Sequence, residues 1–319
     1  MTEDKEMKKY AVGFDLGGTT CKVGFFETSG KLLEKWEVPT DRKDNGDHII
    51  PNLAENIKSY LGGKKISTDE IEGAGIGVPG AVTPDGYVNR CVNLGWNDKR
   101  SVGDQMTKLC GFPVKVGNDA NVAAMGEYFM GAGKGAQSMV MVTLGTGIGG
   151  GIVIENKLLV GFTGAGGEIG HIHVDDDETE ECGCGNKGCI EQYASATGIV
   201  RIAHRMLLSE SIDSPLRTMA HISAKDVFDQ AKAGDQLANM IADEVGRRLG
   251  KMMAIVANVV NPEVFILGGG VSRAGHILIE KIRPSFSEYA FHACKDTRIM
   301  LATLGNDAGI YGGVGLVLS

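Results

Sequence analysis

The sequence is short of the features that mark membrane, secreted and nucleic-acid-binding proteins. No stretch approaches the ~18 continuous apolar residues of a membrane-spanning helix; the run from Met252 to Ala257 is only six residues long. The N-terminal segment MTEDKEMKKY is charged and carries no apolar stretch with a cleavage site, so it does not read as a secretory signal. Basic charge is not in excess: 32 Lys and Arg face 40 Asp and Glu, a net charge of −8, which disfavours a general binder of nucleic acid or membrane surfaces. Aromatic residues are only 6%, and no Pro/Ser-rich linker divides the chain. Seven cysteines make an odd count for a secreted disulfide scaffold, and the chain is large for one. Three of them, Cys182, Cys184 and Cys189, fall within eight residues, a spacing that suits metal binding in a reducing cytosol. A cytoplasmic protein is expected.

Glycine is what the chain has in abundance: 47 of 319 residues, about twice the usual ~7%. Such a content calls for many tight turns and close backbone approaches. At about 100–200 residues per domain the length argues for two domains. Tyr10 to Asp15 reads as a buried strand ending in the turn Leu16-Gly17-Gly18-Thr19-Thr20, followed by strands at Lys22–Glu27 and Leu32–Val38. A helical pattern covers His48 to Leu61, and a strand from Gly73 to Val78 ends in Pro79-Gly80. The opening then recurs. Ser138 to Leu144 is an apolar strand closed by Gly145-Thr146-Gly147, Gly151 to Glu155 is a second strand, and Leu158 to Val160 follows a turn at Asn156. The longest helical pattern is Asp235 to Val260, and the strand Val264–Leu267 ends in Gly268-Gly269-Gly270. Two halves with the same strand–glycine turn–strand opening predict a duplicated domain. The boundary is expected near Gly117, with a glycine-containing helix over Asn306 to Leu318.

Neither common nucleotide fingerprint survives inspection. Gly133-Lys134 and Gly63-Lys64 lack the Ser or Thr that completes a Walker loop. Gly145, Gly147 and Gly150 match G-x-G-x-x-G, but the segment that follows reads as a strand where the fingerprint needs a helix. The turn after Asp15 offers bare amide N–H groups and two hydroxyls to phosphate oxygens, with a carboxylate able to hold Mg²⁺ through water. Gly145–Gly147 and Gly268–Gly270 supply two more such turns; the competing reading is glycines that serve tight turns alone. Asn118-Asp119 follows a short strand, where Asp119 could be a general base or merely the N-cap of a helix from Ala120 to Met130. Glu168 and His171 are three apart, so one turn aims both the same way. One histidine with Cys182, Cys184 and Cys189 makes a tetrahedral set for structural Zn²⁺. His171 is the first choice and His173 the rival, with buried thiols the alternative to a metal. Cys21, Cys91, Cys110 and Cys294 are scattered and read as plain thiols.

Six segments in this order carry a resemblance: Asp15-Leu16-Gly17-Gly18-Thr19 with Lys22; Asn118-Asp119-Ala120-Asn121; Leu144-Gly145-Thr146-Gly147; Gly166-Gly167-Glu168-Ile169-Gly170-His171; Cys182 through Glu191; and Gly268-Gly269-Gly270. Together they resemble the ROK family of sugar kinases and sugar-responsive repressors, from about residue 10 to the C-terminus. Asn93-Leu94-Gly95-Trp96 and Ala194-Ser195-Ala196-Thr197-Gly198 resemble the bacterial glucokinase branch. The resemblance implies an α/β fold of two ribonuclease-H-like lobes of the actin/hexokinase type with a cleft between them. A small N-terminal lobe would comprise residues 1–117 plus about 306–319, and a large lobe 118–305 would carry the sugar site and a small zinc-binding insertion. It implies ATP, Mg²⁺ and structural Zn²⁺ as cofactors, and transfer of phosphate to the 6-hydroxyl of glucose with Asp119 as the base. Sugar contacts are implied for Asn118, Asp119, Glu168, His171, Glu191, Gly80 and Asn93. The phosphate and nucleotide side would take Asp15, Gly17, Gly18, Thr19, Thr20, Lys22, Gly145, Thr146, Gly147 and Gly268 to Gly270. Zinc would be held by His171, Cys182, Cys184 and Cys189. Other hexose kinases of the family (fructose, allose, N-acetylhexosamine) are the nearest alternatives. A sugar-sensing regulator is disfavoured because only nine residues precede the first strand, too few for a helix-turn-helix. A chaperone-type or cytoskeletal ATPase leaves Glu168, His171, Glu191 and the cysteines unexplained. A homo-oligomer, dimer or tetramer, without nucleic-acid or membrane partners is expected.

Overall fold

The computed structural model describes residues 7–319; residues 1–6, which begin the segment read above as no secretory signal, lie outside the described part. The chain forms two compact units. One comprises residues up to 137, 151–167 and 303–319; the other comprises 138–150 and 168–302.

The first unit is built on a five-stranded sheet in the order β3-β2-β1-β4-β7, with β1 Tyr10–Leu16, β2 Thr20–Glu27, β3 Leu32–Pro39, β4 Ile71–Val78 and β7 Val114–Asn118. β1 to β3 form an antiparallel meander, whereas β4 and β7 run parallel to β1. A short ribbon, β5 (Tyr87–Val88) with β6 (Arg100–Ser101), stands apart from this sheet. A short turn α1 (Lys43–Gly46) precedes α2 (Ile49–Lys64). α2 buries Ile49, Ile50, Leu53, Ile57 and Leu61 in one core cluster, together with Val102 and Met106 of α3 (Val102–Cys110). α4 (Asp119–Met130) and α10 (Ala308–Leu318) belong to a second layer, where Ile310 and Val314 pack with Ala11 and Phe26. Glycine decides how close this layer lies. A Cβ on Gly13 would overlap the carbonyl of Ile310, and one on Gly75 would overlap Gly313. Backbone therefore meets backbone where α10 crosses β1 and β4, which accounts for part of the glycine surplus.

The second sheet repeats the order as β10-β9-β8-β11-β12, with β8 Ser138–Leu144, β9 Ile148–Ile154, β10 Lys157–Leu158, β11 Val264–Gly268 and β12 Arg298–Leu301. β11 is parallel to both β8 and β12, the counterpart of β4 between β1 and β7. The duplication expected from the two glycine turns is thus a property of both sheets. The expected third strand at Leu158–Val160 is observed at Lys157–Leu158; Leu159 N still donates to Ile152 O at 2.8 Å, and beyond it the chain turns at Gly161 (φ +71°), where Val160 O accepts from Gly166 N at 2.9 Å. The second unit's helices are α5 (Glu191–Ala194), α6 (Ala196–Ser209), α7 (Ala224–Lys232), α8 (Gln236–Val260) and α9 (His276–Tyr289). α8 matches the longest predicted helix. Asp235 caps its first turn by accepting from Ala238 N at 2.8 Å, and Asn261 ends it in the left-handed region (φ 48°). Among the described residues no helix is long and apolar enough to cross a membrane.

Candidate active site

Strand register sets the geometry in the first unit. Asp15 lies opposite Gly77 on β4, and Gly77 lies opposite Gly117 on β7, so Asp15 and Asn118-Asp119 emerge at the same carboxyl edge of parallel strands. Such edges are where α/β sheets bind ligands. The turn after Asp15 is closed by Gly17 N–H donating to Thr20 O at 2.9 Å, and Thr40 Oγ1 donates to Gly17 O at 2.8 Å. Gly18 leaves no room for a side chain, since a Cβ would stand 2.9 Å from Asn93 O. Asp15 is backed by Gly309, where a Cβ would lie 2.5 Å from the Asp15 carboxyl carbon. Burial lifts its pKa above the ordinary aspartate range; Lys22, its cross-strand partner, opposes that shift and Asp307 adds to it. Lys22 Nζ donates to Asn306 O at 2.8 Å.

Asp119 opens α4 but does not cap it. Asn118 does, its Oδ1 accepting from Ala120 N at 3.0 Å and Asn121 N at 3.2 Å. Asn118 Nδ2 donates to Gly80 O and to Asp119 Oδ1, both at 3.0 Å, so the amide registers the Gly80 turn against the carboxylate. Gly80 needs its glycine, with φ at +97°. Ala120 N also donates to Asp119 Oδ1 at 2.8 Å. These bonds all fall on Oδ1, which leaves Oδ2 for a ligand. Asp119 remains reachable by solvent, yet the protein crowded around it raises its pKa, with the negative charge of Asp15 adding to the effect. Asn93 sits on the 3₁₀ turn Val92–Leu94, held in place by Trp96, which is fully buried and donates to Gly46 O at 3.1 Å.

In the second unit two glycine turns meet. Gly269 (φ +83°) lies so close to Leu144 that a Cβ would overlap the Leu144 carbonyl, which sets Gly268–Gly270 beside Gly145–Gly147 at the carboxyl ends of β11 and β8. Thr197 Oγ1 donates to Thr146 O at 2.9 Å, and Ala196 N donates to Gly145 O at 2.8 Å, so the start of α6 backs this turn. A cavity of about 370 Å³ opens alongside, lined by Ala196, Lys225, Phe228, Gly270, Val271 and Arg273 among others. Sequence reading missed it. Its only pointer was the glycine run, because the other lining residues come from two helices and a 3₁₀ turn with no motif of their own.

Glu168 precedes the 3₁₀ turn Ile169–His171 and is exposed, with His171 partly so. His171, Cys182, Cys184 and Cys189 converge, their donor atoms all within 4.8 Å of one another. Cys182 Sγ stands 3.7 Å from His171 Nδ1, and Cys184 Sγ 3.7 Å from Cys189 Sγ. Ligands about 2.3 Å from a tetrahedral zinc lie about 3.8 Å apart, so these two pairs have that spacing and the four donors fit such an ion. His173 is not in the set; it is held by Lys187 O and Asp176. Glu191 joins this loop to the Gly145–Gly147 turn, its Oε2 accepting from Ile148 N at 2.7 Å and its Oε1 from Cys182 Sγ at 3.6 Å. The four scattered cysteines are all buried.

The sequence profile of the ROK family matches residues 11–319. The chain belongs to the ROK family. This ROK chain is 43% identical to a glucokinase from Halalkalibacterium halodurans over 97% of its own length and 95% of the relative's. It is 36% identical to a glucokinase from Thermotoga maritima, covering 96% of each chain. Among solved structures it resembles a ROK family glucokinase from Streptomyces griseus in complex with glucose and AMPPNP, at 33% identity and a TM-score of 0.71, covering 96% of this chain and 98% of that one. The mixed α/β sheets described above are the actin/hexokinase-like fold of the family.

Proposed function

We propose that this ROK protein is an ATP-dependent glucokinase that phosphorylates the 6-hydroxyl of glucose. The observation that carries the reading is Asp119. Its carboxylate has one oxygen tied by Asn118 and Ala120 and the other uncommitted, in the same unit as the Asp15 turn. A sugar hydroxyl is a weak nucleophile until a positioned base accepts its proton. Asp119 Oδ2 takes that proton as the 6-oxygen bonds to the γ-phosphorus and the bond to the β-phosphate oxygen breaks, yielding glucose 6-phosphate and ADP. The two glycine turns, Gly17–Thr20 and Gly145–Gly147, offer N–H groups and hydroxyls to the phosphates, with Lys22 as a nearby cation. Gly268–Gly270 and the adjoining cavity suit the nucleoside. Asp15 suits a hydrated Mg²⁺, which supplies charge neutralisation at the phosphates when bound.

The sugar contacts of the same reading are Asn118, Asp119, Gly80 and Asn93, which belong to the first unit, and Glu168, His171 and Glu191, which belong to the second. In this reading residues 1–117 with about 306–319 act as the small lobe and 118–305 as the large one, a functional division that leaves α4 in the large lobe although it packs within the first compact unit. His171, Cys182, Cys184 and Cys189 would hold structural Zn²⁺. With Nδ1 turned to Cys182, His171 keeps Nε2 for a sugar hydroxyl. A homo-oligomer, dimer or tetramer, belongs to the same reading and is checked by sedimentation. A panel of hexoses assayed with ATP and Mg²⁺ tests the proposal. Glucose should be the preferred acceptor and 6-phosphate the product; preference for another sugar, or no transfer at all, overturns it.

A further inference from the structure

One buried charge in the first unit is not used by the proposed chemistry. Glu127 on α4 is fully buried, and among the described residues no Lys, Arg or His forms an ion pair with it. A buried carboxylate without a counter-charge is costly unless hydrogen bonds replace its water. Four donors do so here. Ala132 N donates at 2.8 Å and Leu304 N at 2.8 Å, while Thr303 donates from N at 3.0 Å and from Oγ1 at 3.3 Å. Gly131 leaves space for the carboxylate, since a Cβ there would overlap Glu127 Oε2. Residues 127 and 303–304 are about 176 apart in sequence, so this one side chain joins two distant segments.

Both segments lead to the site. Asp119 lies eight residues before Glu127, about two turns back along the same helix. After Leu304 the chain reaches Asn306, whose carbonyl accepts from Lys22, and Gly309, which presses on Asp15. Further contacts keep α4 and α10 in one register: a Cβ on Gly126 would overlap Ala308 O, and one on Gly312 would overlap Val122 O. We propose that Glu127 is a positioning residue, a buried carboxylate clamp that holds the Asp119 helix in register with the segment backing Asp15 and Lys22. This rests on the kinase reading for its catalytic consequence. The clamp itself is a statement about structure.

The test is Glu127→Gln, which turns one oxygen into an N–H₂ facing donors, with Leu61→Ala as a control. Leu61 is buried in the same unit on α2, in the core cluster that excludes α10. Both variants are assayed well below their melting temperatures. Displacement of a base by about 1 Å can cost about 100-fold, so Glu127→Gln should lose at least about 10-fold in kcat, with KM for glucose within about threefold. Leu61→Ala, at an equal or larger drop in Tm, should keep its kcat. Amide exchange should quicken in residues 119–123 and 15–22 of Glu127→Gln alone. Parent-like kcat, or equal losses in the two variants, overturns the clamp. If the parent phosphorylates no hexose, the exchange result decides alone: faster exchange at both segments upholds the clamp while the kinase reading falls, and unchanged exchange removes the clamp too.

Discussion

Asp119 shows how little separates a helix cap from a general base. An aspartate at a helix start ordinarily caps it, but Asn118 takes that task and leaves Asp119 half unbound. Asp119→Asn is nearly isosteric and cannot accept the proton, so kcat should fall by at least about 100-fold, with glucose affinity by calorimetry within about an order of magnitude of the parent. Near-normal turnover would remove Asp119 from the role. Its pKa is raised by desolvation and by Asp15, and the base works only when ionised. The acid limb of kcat/KM should therefore lie above the ordinary aspartate value of about 3.9. Asp15→Asn removes one negative neighbour, so in that variant the limb should move to lower pH. A limb that stays put would show that the two carboxylates do not sense each other.

The Cys182–Cys189 loop is held by more than its thiols. Glu178, its side chain 1% exposed, accepts from Arg201 Nη2 at 2.6 Å, from Arg205 and from Tyr193 Oη at 2.7 Å; Arg248 stacks on the Tyr193 ring and pairs with Asp175. The paired arginines and Tyr193 outweigh the desolvation cost and hold the Glu178 pKa well below the usual carboxylate range. A depressed pKa adds stability that is full above the unfolded value near 4.3 and is lost progressively as pH falls from there through the lower folded value. Removing one charge from a buried pair costs about 3 kcal/mol, so Glu178→Gln should lower Tm at pH 7 and by less at pH 3, where the unfolded carboxylate is already protonated while the folded one stays ionised. A pH-independent difference in thermal melts would deny the network this role. The α10 layer makes a different demand. Gly13→Ala places a methyl against the Ile310 carbonyl and should destabilise by about 1–3 kcal/mol, measured by urea unfolding.

At the scale of the second unit, the cysteine loop and the Gly145–Gly147 turn meet through Glu191, which ties Ile148 to Cys182. Loss of zinc should thus reach the sugar residues without any cysteine touching substrate. Metal analysis of the purified protein should find about one zinc per chain. Cys184→Ser should lose it and weaken glucose binding more than ATP binding, because Glu168 and His171 stand on the loosened segment while Gly268–Gly270 does not. A zinc-free variant that binds glucose as tightly as the parent would sever the link between metal and sugar.

Much of this is legible in the sequence. Strands ending in glycine turns, their repetition, and a His with three closely spaced Cys are local patterns, set by backbone freedom and donor chemistry within a few residues. They were enough to expect the duplicated sheets, Asp15 and Asp119 at strand ends, and a histidine with the three thiols. What tertiary structure decided lies between segments far apart in sequence. Only the fold could bring Thr303 and Leu304 to Glu127, choose His171 over His173 by engaging the latter with Lys187 and Asp176, or line a cavity from α6, α7 and the turn after Gly270. A buried glutamate in a helical run looks like any other until its donors arrive from elsewhere. Hydrogen bonds and close packing act over a few ångströms in space, whatever the distance along the chain.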